Sequence, residues 1–159
     1  MKTICLQLFF LLSLLSLVAT STCLAQDLKP GDPFPGIVAE DQFEAEYSIP
    51  EDTRYIVVTF SMGAGKKANK YFAAKGASYL PEHKAVLIND IHPMPGIGRM
   101  FAIPKMQKYP HRILLADEDG LLDNFPKTDD KATLFELDGS MAIVNVSFWD
   151  PDSGEDPFK

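Results

Sequence analysis

Cysteine is almost missing from this sequence. The 159 residues hold two, Cys5 and Cys23, and no thiol follows them. Thiol–disulfide exchange and peroxide reduction both run through a thiolate, so neither is open to the rest of the chain. Small exported domains often lean on disulfides; this one must rely on its core. Metal-ligand spacing is missing too. His83, His92 and His111 stand far apart, with no H-x-H, H-x3-H or H-E-x-x-H pattern. The acidic run of Asp150, Asp152, Glu155 and Asp156 lacks the calcium-loop pattern. Positive charge is also scarce, with 15 Lys and Arg against 22 Asp and Glu and a net charge of −7. An acidic surface repels phosphate backbones, which argues against nucleic acid or anionic membrane as the main partner. The plainer role of the charge is to keep an exported protein in solution.

Only one long apolar run exists, at the start. Lys2 gives a short positive lead, and Ile4 to Val18 is apolar apart from Gln7, Ser13 and Ser16. Cys23-Leu24-Ala25 is a small-x-small cleavage site. This is the pattern of a signal peptide over residues 1–25, cleaved after Ala25, with a periplasmic or secreted product. The run is too short and too punctuated to span a membrane well. Thr20-Ser21-Thr22 is a poor lead-in to a lipid-modified Cys23, so a lipoprotein is the less favoured reading. Cleavage leaves 134 of the 159 residues with a net charge of −8, since Lys2 departs. That suits one domain over 26–149, followed by an acidic tail, 150–159, expected to be mobile.

Tyr55 to Phe60 is a continuous β-branched and aromatic run, the pattern of a strand covered on both faces. From Ala64 the period changes. Ala64, Ala68, Tyr71 and Phe72 fall on one helical face, with Lys66, Lys67, Lys70 and Lys75 elsewhere and Gly76 as the stop. Ala85 to Ile88 is a second buried strand, which completes a βαβ unit with a right-handed crossover. Ile37 to Ala39 and Phe43 to Tyr47 read as short strands around Asp41-Gln42. Ile97 to Met106 reads as a short amphipathic helix, interrupted or restarted at Pro104. Arg112 to Ala116 is extended, and Leu121 to Phe125 suits one helical turn. Thr133 to Leu137 and Met141 to Phe148 form a hairpin turning at Asp138-Gly139.

This order of elements, with "GDPFPGIVAEDQ", "RILLADEDG" and "ATLFELDGSMAIVNVSF", resembles the thioredoxin-like superfamily in its peroxiredoxin and redoxin branch. The resemblance covers about Gly31 to Trp149. Within it, "MPGIGRMFAIPKMQKYP" followed by "LLADEDG" is most similar to the small exported YtfJ-type proteins. It implies an α/β fold: a mixed central sheet with a βαβ unit and a C-terminal β-hairpin, and helices on both faces. In that family a reactive cysteine sits at a helix N-terminus after the strand. The matching positions here are Gly65 and Ala68, with Ala132 where the cis-proline would stand. Redox labels attached to such relatives, a flavin-dehydrogenase one included, find no evident site here. No dinucleotide-binding fingerprint is read, and no cofactor or metal is expected.

The expected functional surface is the end of the sheet where the glycine turn and the prolyl loop meet. It comprises Met62, Gly63, Lys66 and Lys67, with His92, Met94 and Arg99. Gly63-Ala64-Gly65-Lys66-Lys67 opens a helix and so offers backbone N–H groups to an anion. A tight turn with solvated lysines is the plainer and preferred account. Met94, Met100 and Met106, with Ile97 and Phe101, either form an adaptable docking surface or pack the helix on the sheet, and the packing reading is preferred. Ser61 lacks a G-x-S-x-G elbow, and a hydrolase would need a histidine beside it. The leading expectation is therefore a redox-inactive binding or accessory module for an envelope protein, peptide or small ligand. A cofactor-dependent oxidoreductase and, behind it, a Ser61-based hydrolase are the alternatives.

Overall fold

The computed structural model describes residues 26–159. The signal-peptide reading, with Cys5 and Cys23, lies outside the described residues. Seven strands form one mixed sheet: β1 (Val38–Asp41), β2 (Glu46–Ser48), β3 (Tyr55–Thr59), β4 (Ala85–Asp90), β5 (Leu114–Ala116), β6 (Ala132–Leu137) and β7 (Ile143–Trp149), in the order β2-β1-β5-β4-β3-β6-β7. The apolar run of β3 lies at the interior of the sheet. Ile56, Val57 and Val58 are fully buried there, with parallel β4 on one side and antiparallel β6 on the other. Three helices connect or flank these strands: α1 (Met62–Lys75), α2 (Tyr79–Glu82) and α3 (Gly96–Met106). Among the described residues no helix is long and apolar enough to cross a membrane.

The βαβ unit forms as the periodicity requires. α1 carries β3 into parallel β4, with Tyr55 opposite Ala85 and Thr59 opposite Asn89. Ser61 caps α1, its hydroxyl accepting from the Ala64 N–H at 3.1 Å. Gly76 ends it with φ +98°, a conformation that strains residues bearing a Cβ.

α3 differs from the expected broken helix. It runs without a break through Pro104. The carbonyl this proline cannot pair belongs to Met100, a residue that is 70% exposed, so the missing bond falls on the outer side of the helix. Leu121 to Phe125 does not form a helix. It makes tight turns in which Asp123 and Phe125 donate to carbonyls three residues back. The hairpin between β6 and β7 is longer than a two-residue turn. Asp138 accepts from the Ser140 hydroxyl and from the Ser140 and Ala142 N–H groups, and Met141, not Gly139, takes the left-handed conformation.

The sheet buries two apolar layers. On one face, Val57, Leu87 and Leu115 pack against Ala68 and Phe72 of α1, Leu80 of α2 and Met106 of α3. On the other, Ile56, Val58, Ile88 and Phe135 pack against Phe34, Ile37, Leu122 and Phe125. The expectation of helices on both faces is corrected here. The described helices all serve one face, and the second is closed by the N-terminal segment and the 121–125 turns. An aromatic trio does much of that closure, Phe34, Phe125 and Phe135 meeting edge to face at 5.4–5.7 Å.

The acidic tail also departs from expectation. Phe158 is buried in the helical face, against Tyr55, Phe72, Tyr79 and His83. The Trp149 indole donates to Glu155 O at 3.1 Å, and Tyr79 donates to Asp156 at 2.7 Å. Burial raises the Asp156 carboxyl, but the Phe158 N–H and the Tyr79 hydroxyl outweigh it and hold the group below the usual range. Charge along the tail masks one aromatic anchor, and that anchor decides where the tail lies.

Candidate functional site

β3 and β4 end side by side, and α1 and α3 leave from those ends. Between the two helices lies a cleft of about 330 Å³. Its walls are apolar: Met62 from α1 and Phe101, Ala102 and Met106 from α3. Met62 is 64% exposed and Phe101 63%. Met100 and Ile97 of α3 are exposed as well but do not line the cleft.

The base of the cleft is polar. Thr59 and Asn89, at matching positions on β3 and β4, are both buried. The Thr59 hydroxyl donates to Asn89 Oδ1 at 2.9 Å, and Asn89 Nδ2 reaches only the Met106 sulfur at 3.7 Å, a weak acceptor. Asn69 of α1 lines the same cleft, and its Oδ1 lies 3.0 Å from His111 Nε2. Lys66 and Lys105 stand at the rim. Asp90 is the acidic member; burial raises its carboxyl, and its oxygen accepts from the His92 N–H.

The expected surface therefore splits. Met62 and Lys66 line the cleft. Lys67 points away and pairs with Asp152 at 3.0 Å, and that hydrogen bond and charge raise its pKa. His92, Met94 and Arg99 form a separate knot. Arg99 donates to the Met94 and His92 carbonyls and pairs with Asp117, while His92 Nδ1 lies 3.0 Å from Asp117 O. Met94 packs on the helical-face core and beneath Gly98. These three side chains brace the prolyl loop. Of the methionine stripe, Met106 is core, while Met100 with Ile97 and Phe101 is outward, so each account of that stripe holds for part of it.

The positions that the resemblance matched to a reactive cysteine and a cis-proline are also located. Gly65 sits one turn inside α1, and its N–H already donates to Ser61 O. It is buried, and a Cβ there would stand 3.2 Å from Thr59 Oγ1. Ala68 and Ala132 are fully buried in the same apolar cluster. The exposed start of the helix is Ser61 to Gly63. Asp130, left-handed with φ +56°, brings its carboxylate close to Gly63, with Oδ1 3.6 Å from the position of a Cβ. Among the described residues no histidine bonds Ser61, whose oxygen serves the Ala64 cap. The hydrolase arrangement is therefore not assembled.

One spacing goes unread in the sequence. Gly63, Gly65 and Ala68 spell G-x-G-x-x-A directly after a strand. Both glycines lie within α1, so no loop precedes the helix to wrap a pyrophosphate. The sequence reasoning also missed Asn69, Asn89 and Lys105. Asn69 interrupts an otherwise apolar buried face, a signal that was available; the others needed the packing of α3 on α1.

No protein-family model matches the chain, and no curated protein matches it. Solved structures do. A putative thiol:disulfide interchange protein DsbE from Chlorobium tepidum has a TM-score of 0.53 at 11% identity, over 80% of this chain and 91% of that one. Peroxidoxin BcpB from Mycobacterium tuberculosis has a TM-score of 0.51 at 15% identity, over 79% and 90%. The thioredoxin domain of a thiol-disulfide oxidoreductase from Bacteroides vulgatus has 0.50 at 16%, over 76% and 89%. The chain has the thioredoxin-like fold, as its sequence led one to expect.

Proposed function

We propose that this chain is an exported, thioredoxin-fold binding module without thiol chemistry, and that it engages its ligand or partner through the cleft between α1 and α3. The cleft carries the proposal. Its mouth exposes Met62 and Phe101, and two buried asparagines hold polar groups at its base. Such a mixture of apolar wall and few oriented polar groups is typical of ligand sites. The absence of cysteine from residue 24 onward supports the loss of redox function. The signal-peptide pattern and the resemblance to YtfJ-type proteins support action in the bacterial periplasm.

The test has two arms. The purified protein should reduce neither insulin disulfides nor hydrogen peroxide; turnover of either overturns the reading. A photo-crosslinker at Met62 should then capture one reproducible species from envelope extract, and Phe101→Glu should abolish the capture. Capture that survives Phe101→Glu would remove the cleft from the account.

A further inference from the structure

The donors and acceptors around the cleft are not evenly distributed. Asn69 and Asn89 are 3% and 5% exposed. Each has its side-chain oxygen engaged from within the protein, Asn69 by His111 and Asn89 by Thr59. His111 Nδ1 has no partner among the described residues, so the ring proton belongs on Nε2 and donates to Asn69 Oδ1, while Met106 gives Asn89 Nδ2 only a sulfur acceptor; both amides thus present NH₂ groups without a strong acceptor. Asn69 Nδ2 has no partner among the described residues, and Asn89 Nδ2 has only a thioether. Turning Asn69 would set its NH₂ against the Nε2–H of His111, and turning Asn89 would set its oxygen against the Met106 sulfur, so both amides keep this orientation. The cleft therefore offers amide donors at its base.

Charge points the same way. Lys66 and Lys105 stand at the rim, and neither is among the ion pairs of the described residues. One carboxylate, Asp90, faces them. Two cations against one anion leave a single positive charge, in a chain whose net charge is −7. The walls supplied by Met62, Phe101 and Ala102 suit an apolar body. The volume, about 330 Å³, lies at the small end of ligand cavities.

We infer that the cleft binds a small amphipathic monocarboxylate of the medium-chain fatty-acid type, its carboxylate held by Asn69 and Asn89 within the field of Lys66 and Lys105 and its alkyl body lying between α1 and α3. This rests on the functional reading above and specifies the ligand class. A carboxylate offers acceptors only, which is what two donor amides require. A second negative charge would exceed the one positive charge that the rim leaves free.

The test measures decanoate, decanol and decylammonium binding to the purified protein by titration calorimetry, below their micelle-forming concentrations. Decanoate should bind about tenfold or more tighter than decanol, and decylammonium should be weakest. Asn69→Asp is nearly isosteric and still accepts from His111. It should cost decanoate about tenfold and decanol far less, since an alcohol carries no charge to be repelled and can donate to the new carboxylate. Lys66→Gln and Lys105→Gln, both at exposed positions, should each weaken decanoate a few-fold and flatten its salt dependence. Thermal unfolding of each variant checks the fold. Equal or tighter binding of decanol, no binding of either, or no response to the three variants overturns the inference. So does binding of an apolar peptide's C-terminus in place of decanoate. If decanoate fails while the Met62 crosslinker still gives a Phe101-dependent capture, only the ligand class falls. If both fail, the functional reading falls with it.

Discussion

His111 is the most exacting residue in this molecule. It is 2% exposed, stacked on Tyr109, with Nε2 bonded to Asn69 and Nδ1 without a partner. Burial pushes its pKa down from 6.5 to about 4. Above pH 6.5 both folded and unfolded chains hold it neutral, and its full contribution to stability is present. As pH falls from 6.5 toward 4, the unfolded chain takes the proton first. Stability should drop by about 3 kcal/mol across that window and level off below it. Asp90 works in the opposite direction, because its raised pKa favours the protonated folded form at low pH. The informative comparison is therefore urea unfolding at pH 7 and pH 4.5 for the native protein against His111→Gln. The variant should show a clearly shallower fall.

At the level of elements, α1 separates two positions that a sequence match cannot tell apart. The mouth of the helix is Ser61, exposed and at the positive end of the helix; Gly65 is one turn deeper, against Thr59. A Ser61→Cys thiol should ionise below the ordinary range near 8.5 and react quickly with Ellman's reagent, at a cost of about 1 kcal/mol for the lost cap. A Gly65→Cys thiol should react far more slowly in the folded state. Equal rates would show that the helix starts elsewhere. α3 makes a second prediction. Pro104 is exposed and cannot donate to the Met100 carbonyl one turn back. Pro104→Ala should stabilise the protein by about 1–3 kcal/mol, measured by urea unfolding. No gain would mean that the last turn of α3 is held by packing alone.

For the whole molecule, the tail completes the core. Phe158 stacks on Phe72 at 5.9 Å and contacts both Tyr55 of β3 and Tyr79 of α2. Phe158→Ala should cost about 3 kcal/mol in urea unfolding, within the usual range for losing a buried phenylalanine. Trp149, which bonds the tail through Glu155 O, should report the change in its fluorescence. Dithiothreitol should leave the melting temperature of residues 26–159 unchanged, because that span contains no cysteine.

Most of the fold was legible because it rests on local pattern. The β-branched run of β3, the switch to helical period at α1 and the parallel return at β4 are properties of contiguous residues. So is the lack of cysteine in residues 26–159, a matter of which atoms exist. What had to wait for the tertiary structure depends on partners distant in sequence. His111 orients Asn69 across 42 positions, and Thr59 orients Asn89 across 30. His92 and Arg99 looked available until Asp117 came beside them. The tail read as solvated by its charge, and one phenylalanine reversed that. Periodicity reports which face of an element is apolar; which polar groups remain unpaired at the end of folding is decided only when the elements meet.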